Sequence, residues 1–242
     1  MPLREITPQR VAAWQADRIK AGAGRPVVRK ALRLLGGILA YAVEQEHLQV
    51  NAARAVRPVR VAKAKTGHAV SVCEVEALRA AVGEPWDVLL AVLAYTGLRP
   101  AEALALRWAD IGEHTIRVDR ALSLTGDVKS TKTEAARSGR LLAPVAADLA
   151  AWRLRCGRPA KTAAVLPHPS GKGWSKVAWD NLRERQFQPA AVAIGLGTIA
   201  ELPAVKGTRP RRRYEGLRPY DLRHTFASLL LAEGRSLHYV AE

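Results

Sequence analysis

The chain has 242 residues, 48% of them hydrophobic and 25% charged, which is the composition of a folded protein with one large domain or two small ones. It has no long apolar run and no N-terminal signal pattern, so neither a membrane span nor export is predicted, and a cytoplasmic location is favoured. The net charge of +16 favours a polyanionic partner, nucleic acid before an acidic membrane surface. Cys73 and Cys156 follow no disulfide or metal-binding pattern, so we expect small buried thiols in a reduced protein and no metal site.

Residues 1–65 are predicted to form a small helical domain with a basic linker. Thr7 and Pro8 are typical of a helix start. A second helix is indicated by apolar residues at three- and four-residue steps, namely Val27, Ala31, Leu34, Leu35, Ile38 and Ala42. The segment has 13 basic and 4 acidic residues, so it carries +9 of the total net charge of +16. More than half of the excess charge is therefore concentrated in a small part of the chain.

Three arginines, Arg25, Arg29 and Arg33, follow one another at four-residue spacing along the second predicted helix. Like charges at this spacing cost a helix some stability unless a counter-charge neutralises them. Two interpretations are open. The arginines form either a solvated helix face or a stripe that contacts the phosphates of a nucleic acid.

A second domain, residues 66–242, is predicted to begin near Ser71 and Glu74, which have the spacing of a capping box. Residues 86–95 are almost wholly apolar and indicate a buried helix. Gly97 should end that helix, and Pro100 should start another over residues 101–107.

The remaining pattern of this domain predicts more helices and one small β structure. Short strands at 115–118 and 141–143 flank a polar, turn-rich stretch, which indicates a hairpin. Residues 203–218 combine five basic residues with prolines and glycines and are predicted to form a mobile basic loop. Further helices are predicted over 145–156, 177–185 and 220–233. The predicted fold class is therefore mainly α with a small β-hairpin or sheet.

Arg99 stands at the edge of an apolar helix, where a charged residue is unusual. Because Pro100 follows it, Arg99 is biased out of the helical conformation and should project from a turn at a helix start, where anions bind free amides. Glu102 could hold the arginine in place. The alternative interpretation is an arginine that caps the surface of its own domain.

Tyr220 and Arg223 are three residues apart on the last predicted helix, so their side chains can meet as a hydrogen-bonded pair. The alternatives are a helix-start aromatic for Tyr220 and a structural role for His224. Lys129 and Lys132 both lie in the predicted hairpin turn, and the residue pattern alone does not separate them.

Two segments resemble the arginine boxes of the tyrosine recombinase, or phage integrase, family. Residues 96–102, Thr-Gly-Leu-Arg-Pro-Ala-Glu, resemble the first box, and residues 221–225, Asp-Leu-Arg-His-Thr, resemble the second. Lys132 resembles the active-site lysine of the family, which favours it over Lys129. Residues 1–65, ending at Asn51–Arg54 and a linker, look like the core-binding domain of the family. The resemblance implies a helical core-binding domain followed by an α+β integrase-type catalytic domain.

The resemblance also implies a chemistry, which is site-specific recombination of double-stranded DNA through a 3′-phosphotyrosyl intermediate, with no metal or cofactor. Arg99 and Arg223 would grip one DNA phosphate, because a planar guanidinium group binds two oxygens at once. Lys132 would be the general acid towards the leaving 5′ oxygen. Intact relatives assemble as tetramers on DNA, and we expect this chain to be monomeric without DNA. The expected DNA contacts are Arg25, Arg29, Arg33, Arg209, Arg211 and Arg212.

Two features depart from the family pattern. Tyr220 occupies the position where the family usually has a catalytic histidine. Free phenols ionise near pH 10 and histidine near about 6.5, so proton transfer should be weaker at neutral pH while phosphate positioning could persist. Residues 236–240 resemble the segment that precedes the nucleophilic tyrosine of the family, and Tyr239 is interpreted as a packed aromatic. We therefore expect a truncated recombinase, and the alternative function is a non-catalytic DNA-binding remnant or regulator.

Overall fold

The computed structural model describes residues 2–62, 69–123, 125–130, 136–202 and 211–236. The chain divides into two compact units, residues 1–66 and residues 67–242. None of the helices in these described ranges has the length and apolar character needed to cross a bilayer. Each unit is built around its own hydrophobic core.

The first unit is helical. Helix α1 spans Pro8–Lys20 and helix α2 spans Arg25–Glu44, with short 3-10 turns at Leu3–Glu5 and Ala52–Ala55. The predicted cap is confirmed, since the Thr7 hydroxyl accepts the Arg10 backbone N–H at 3.3 Å. A small core joins both helices to the second 3-10 turn through Val11, Leu32, Leu39, Ala52, Ala53 and Val56.

The predicted apolar face of α2 is wrong by about one residue. Val27, Leu34 and Ile38 are exposed at 67%, 61% and 62%. The buried positions are instead Val28, Leu32, Leu39 and Ala42. Helix α2 carries apolar residues on two neighbouring stripes, so periodicity alone does not decide which stripe meets the core.

The second unit contains seven named helices in its described residues: α3 (Val72–Val82), α4 (Trp86–Thr96), α5 (Pro100–Ala103), α6 (Ala143–Arg155), α7 (Lys176–Leu182), α8 (Gln188–Ala193) and α9 (Asp221–Ala232). The capping box at α3 is confirmed: Ser71 accepts the Glu74 N–H, and the Glu74 carboxylate accepts the Ser71 N–H at 2.7 Å. Helix α4 is the centre of the core, and every residue from Val88 to Ala94 is buried.

Two helices differ from the predicted ones for identifiable reasons. Helix α5 has a single turn and not the predicted seven residues, because 3-10 bonds from Ala105 to Glu102 and from Leu106 to Ala103 replace helical bonds. Helices α7 and α8 are joined by a π-helical segment, Arg183–Phe187. Pro189 follows directly and has no N–H to donate to the preceding turn, which accounts for the widened backbone.

The strands form three two-stranded antiparallel sheets: β1 (Thr115–Val118) with β4 (Arg137–Arg140), β2 (Arg120–Leu122) with β3 (Val128–Ser130), and β5 (Gly197–Leu202) with β6 (Arg211–Gly216). The predicted strand at 141–143 is therefore displaced to β4, since Pro144 already lies in the first turn of α6. The predicted mobile loop at 203–218 is wrong for 211–216, because these residues pair with β5 from Gly216↔Gly197 to Arg211↔Leu202. The fold class itself, mainly α with small β sheets, is confirmed.

Both cysteines are exposed, contrary to the prediction of buried thiols. Cys73 lies in the first turn of α3, ahead of the buried Val75 and Leu78. Cys156 is the residue at which α6 ends, beyond the buried Val145 and Leu149.

Candidate functional site

The turn between α4 and α5 presents Arg99. Gly97 ends α4 in the left-handed conformation, with φ +65°, and Leu98 is buried. Arg99 is extended, with φ −70° and ψ 148°, as expected for a residue before proline. Its side chain is 52% exposed. Helix α5 is too short to give a strong dipole, so the anion affinity of this turn depends on the guanidinium group of Arg99.

Glu102 is a buried carboxylate that holds the turn together. It is 2% exposed, and its Oε2 accepts the Arg99 backbone N–H at 2.8 Å. Its Oε1 accepts a hydrogen bond from the Arg99 guanidinium at 2.9 Å. The predicted link between Glu102 and Arg99 is therefore present in the structure.

The same carboxylate is also paired with Arg137 at the start of β4. The Arg137 guanidinium donates to Oε1 at 3.1 Å and to Oε2 at 2.6 Å. Burial acts to raise the pKa of Glu102, but the hydrogen bonds from Arg137 and Arg99 outweigh it and hold the pKa below its usual value. Glu102 is therefore an anion shared by two arginines.

Arg223 reaches this turn from α9. Leu222 and Thr225 on α9 are fully buried, and Asp221 is fixed by the Arg218 backbone and guanidinium, so the first turn of the helix is held firmly. From that turn, the Arg223 guanidinium donates to the Gly97 carbonyl. Phe226 packs directly on Gly97, where a Cβ would lie 2.3 Å from the ring. Glycine is therefore needed both for the backbone conformation and for the approach of α9.

Three guanidinium groups converge here. Burial lowers the pKa of Arg223, and the positive charges of Arg99 and Arg137 lower it further. Such mutual influence requires that the three cations lie close together. Arg137 and Arg223 also line a cleft of about 260 Å³, whose other walls include Phe226 and Leu230. The site is thus a positively charged cluster that is open to a ligand.

Tyr220 lies just before the first residue of α9 and is 45% exposed. The predicted pairing with Arg223 is only part of its environment. Its ring packs edge-on against His224 at 5.6 Å, one helical turn away. The hydrogen bond from Glu102 is the main reason that the pKa of Arg99 is raised, and a hydrogen bond with Tyr220 contributes to the same direction. The phenol therefore borders the Arg99 side of the cluster.

The other predicted site residues are distributed elsewhere. Arg25, Arg29 and Arg33 are exposed on α2, and Arg29 and Arg33 line a shallow groove with Arg54. Arg212 on β6 is exposed and lies 3.8 Å from Glu201. Arg211 is a β6 residue, and Lys132, Arg209 and Tyr239 lie outside the described residues. The sequence reasoning missed Arg137, and the only signal was its short distance in sequence from Lys132.

A search with known proteins fits this arrangement of arginines. The tyrosine recombinase XerC of Agrobacterium fabrum is 30% identical over 255 residues, which cover 99% of this chain and 70% of that protein. This chain belongs to the tyrosine recombinase family. No protein-family model matches the sequence.

Solved structures of integrases share the fold of this recombinase. The Tn1549 transposon integrase, in complex with transposon right end DNA, matches 99% of this chain and 77% of its own with a TM-score of 0.75 and 16% identity. A λ integrase dimer bound to a core site matches 99% of this chain and 78% of its own, with a TM-score of 0.67 and 18% identity. The XerA recombinase matches less closely, at a TM-score of 0.51.

Proposed function

We propose that this recombinase acts on double-stranded DNA by site-specific strand breakage and rejoining through a phosphotyrosine intermediate, and that Arg99 and Arg223 bind the phosphate that is cleaved. The observation that carries the proposal is the convergence of Arg99 and Arg223 on the α4–α5 turn, where the charge of Arg99 lowers the pKa of Arg223. Two cations are held together at a cost in repulsion, which a bound phosphate would offset.

The proposed reaction requires little of the protein beyond positioning and charge stabilisation. A tyrosine oxygen forms a bond to phosphorus, the bond to the 5′ oxygen breaks, and a 3′-phosphotyrosyl link and a 5′-hydroxyl result. Negative charge develops on the non-bridging oxygens, and the guanidinium donors of Arg99 and Arg223 stabilise it. Lys132 protonates the leaving 5′ oxygen in this scheme. Rejoining reverses these steps and needs no external energy source, because the phosphotyrosine retains the bond energy.

DNA binding away from the arginine cluster is assigned to exposed arginines. Residues 1–66 act as the core-binding domain, with Arg25, Arg29 and Arg33 facing DNA phosphates, and residues 67–242 act as the catalytic domain. Arg209, Arg211 and Arg212 add contacts from the basic segment that leads into and forms β6. This distribution accounts for the net charge of +16.

A non-catalytic DNA-binding protein is the second candidate, and the identity of residue 220 favours it. The residue is a tyrosine whose ring packs on His224, where the family usually has a histidine for proton transfer. A phenol next to Arg99 can orient a phosphate without exchanging protons at neutral pH. Such a protein would occupy recombination sites and compete with an active recombinase.

One experiment tests the proposal and separates the two candidates. The chain is incubated with nicked duplex substrates carrying candidate sites, and covalent protein–DNA adducts are sought after denaturation, while affinity is measured over a range of salt concentrations. The proposal expects adducts and an affinity that falls steeply with salt, with a slope of about −0.9 per phosphate contacted. Salt-dependent binding without any adduct selects the non-catalytic candidate, and binding that is insensitive to salt contradicts both.

A further inference from the structure

Arg137 has the most extensive contact with Glu102 of any side chain described. It donates to both carboxylate oxygens, at 2.6 and 3.1 Å, whereas the Arg99 side chain donates to Oε1 alone, at 2.9 Å. Glu102 is 2% exposed, so it has little contact with water and depends on these partners to compensate its charge. Arg137 itself is 30% exposed at the side chain.

The division of the carboxylate between two arginines affects what Arg99 can bind. A carboxylate with a single arginine partner favours a bidentate pair, which occupies two donors of the guanidinium fork. Because Arg137 already occupies both oxygens of Glu102, Arg99 is held through one side-chain donor. Its side chain is 52% exposed, so the other donors face solvent and are available to a phosphate.

We propose that Arg137 is a positioning residue of the phosphate clamp. It compensates the charge of Glu102 and thereby prevents Glu102 from withdrawing Arg99 into a bidentate pair. The inference rests on the proposed role of Arg99 in binding DNA phosphate. It differs from a direct contact between Arg137 and DNA, and it differs from a general contribution of one positive charge.

A set of four variants separates these explanations. Arg137→Gln removes the charge at the site, and Arg140→Gln removes the same charge from an exposed residue of the same strand. Glu102→Gln removes the anion while it keeps an oxygen acceptor, and the double variant Glu102→Gln/Arg137→Gln removes both charges. The affinity of each variant for a fluorescein-labelled DNA duplex is measured by anisotropy at constant salt.

The proposal expects Arg137→Gln to weaken binding by about tenfold more than Arg140→Gln, the effect of losing one charge-assisted contact. It expects the double variant to return to within about twofold of Glu102→Gln, because Arg99 then has no anion to withdraw it. Equal losses for Arg137→Gln and Arg140→Gln overturn the proposal. A double variant as weak as Arg137→Gln also overturns it, since that result indicates direct contact of Arg137 with DNA.

A second measurement decides the matter without DNA. The guanidinium ¹H–¹⁵N signals of Arg99 are recorded in arginine-labelled protein, and the backbone amide spectrum reports whether each variant is folded. Arg137→Gln should protect the Arg99 guanidinium protons from solvent exchange, and the double variant should reverse this. Unchanged Arg99 signals in folded Arg137→Gln refute the positioning role. If Arg99→Ala binds DNA as well as the parent chain, the proposed function fails instead, and the spectra still test the positioning role.

Discussion

The arginines of helix α2 and the arginines of the α4–α9 site differ in how they are held. Arg29 and Arg33 are exposed and have no ion pair among the described residues, and Arg25 only donates to the Arg60 carbonyl at 3.3 Å. Arg99, Arg137 and Arg223 are fixed by a buried carboxylate and a backbone carbonyl. Solvated side chains can follow any stretch of phosphate backbone, whereas fixed ones fit one geometry. The first arrangement suits affinity, and the second suits a reaction.

The largest effect should come from the fixed arginines. We expect Arg99→Ala or Arg223→Ala to lower the rate of adduct formation at saturating DNA by about 10² to 10³-fold, roughly 3 kcal/mol of transition-state stabilisation. Arg155→Ala on α6 is the matched control, because Arg155 is exposed and its ion pair with Glu84 is 3.4 Å long. Single-turnover assays of the three variants measure the effect. Full cleavage activity in both site variants would show that the catalytic assignment is wrong.

The support beneath Arg223 should be the next most sensitive feature. Gly97→Ala places a Cβ 2.3 Å from the Phe226 ring at a φ of +65°, so we expect the free energy of unfolding to fall by about 2 kcal/mol or more. Gly37→Ala on α2 is the control, since no atom lies within 4 Å of its new Cβ and alanine favours a helix. Denaturant titrations compare the two variants. Equal stability of both would contradict the close packing of α9 on this turn.

A smaller effect is expected from the α2 stripe, and it should appear in affinity and not in rate. Arg29→Gln and Arg33→Gln should each make the slope of log affinity against log salt about 0.9 less steep, uniformly across DNA sequences. Lys20→Gln removes the same charge at the end of α1 and should leave the slope unchanged. Anisotropy titrations at several salt concentrations test this. A loss confined to one DNA sequence would instead indicate base recognition by the stripe.

The smallest effect should be the acid sensitivity contributed by Glu102. Its pKa is lower in the folded chain than in the unfolded one, so the unfolded state binds more protons in between. The stability from its ion pairs is therefore complete above about pH 4.3, the ordinary glutamate value, and is lost as the pH falls through the folded pKa. In thermal melts, Glu102→Gln should differ from the parent chain at neutral pH and converge with it in acid. Glu113→Gln, at an 88% exposed side chain, should show no such convergence.

Local sequence signals predicted the framework of the site well. Thr7, Ser71, Gly97 and Pro100 each mark a helix end that the structure contains, because capping and backbone conformation depend on neighbouring residues only. Arg99 and Glu102 are three residues apart, so their contact also followed from local geometry.

Features set by tertiary packing could not be predicted in this way. Arg137 lies 35 residues from Glu102, and an arginine on a short strand is ordinarily solvated. The choice between the two apolar stripes of α2 depends on Ala52, Ala53 and Val56, which pack against it from a distant turn. Strand β6 has no apolar alternation, since Arg211, Arg212 and Arg213 come in succession, so only its pairing with β5 reveals it.

The turn that contains Gly97 joins the two proposed phosphate-binding cations mechanically. Its carbonyl holds Arg223, and Arg99 follows two residues later in the same short peptide. A displacement of this turn moves both guanidinium groups in the same direction, so their separation is preserved when the protein backbone breathes. The losses caused by Arg99→Ala and Arg223→Ala should accordingly be non-additive, because each substitution already disables a unit that moves as one body.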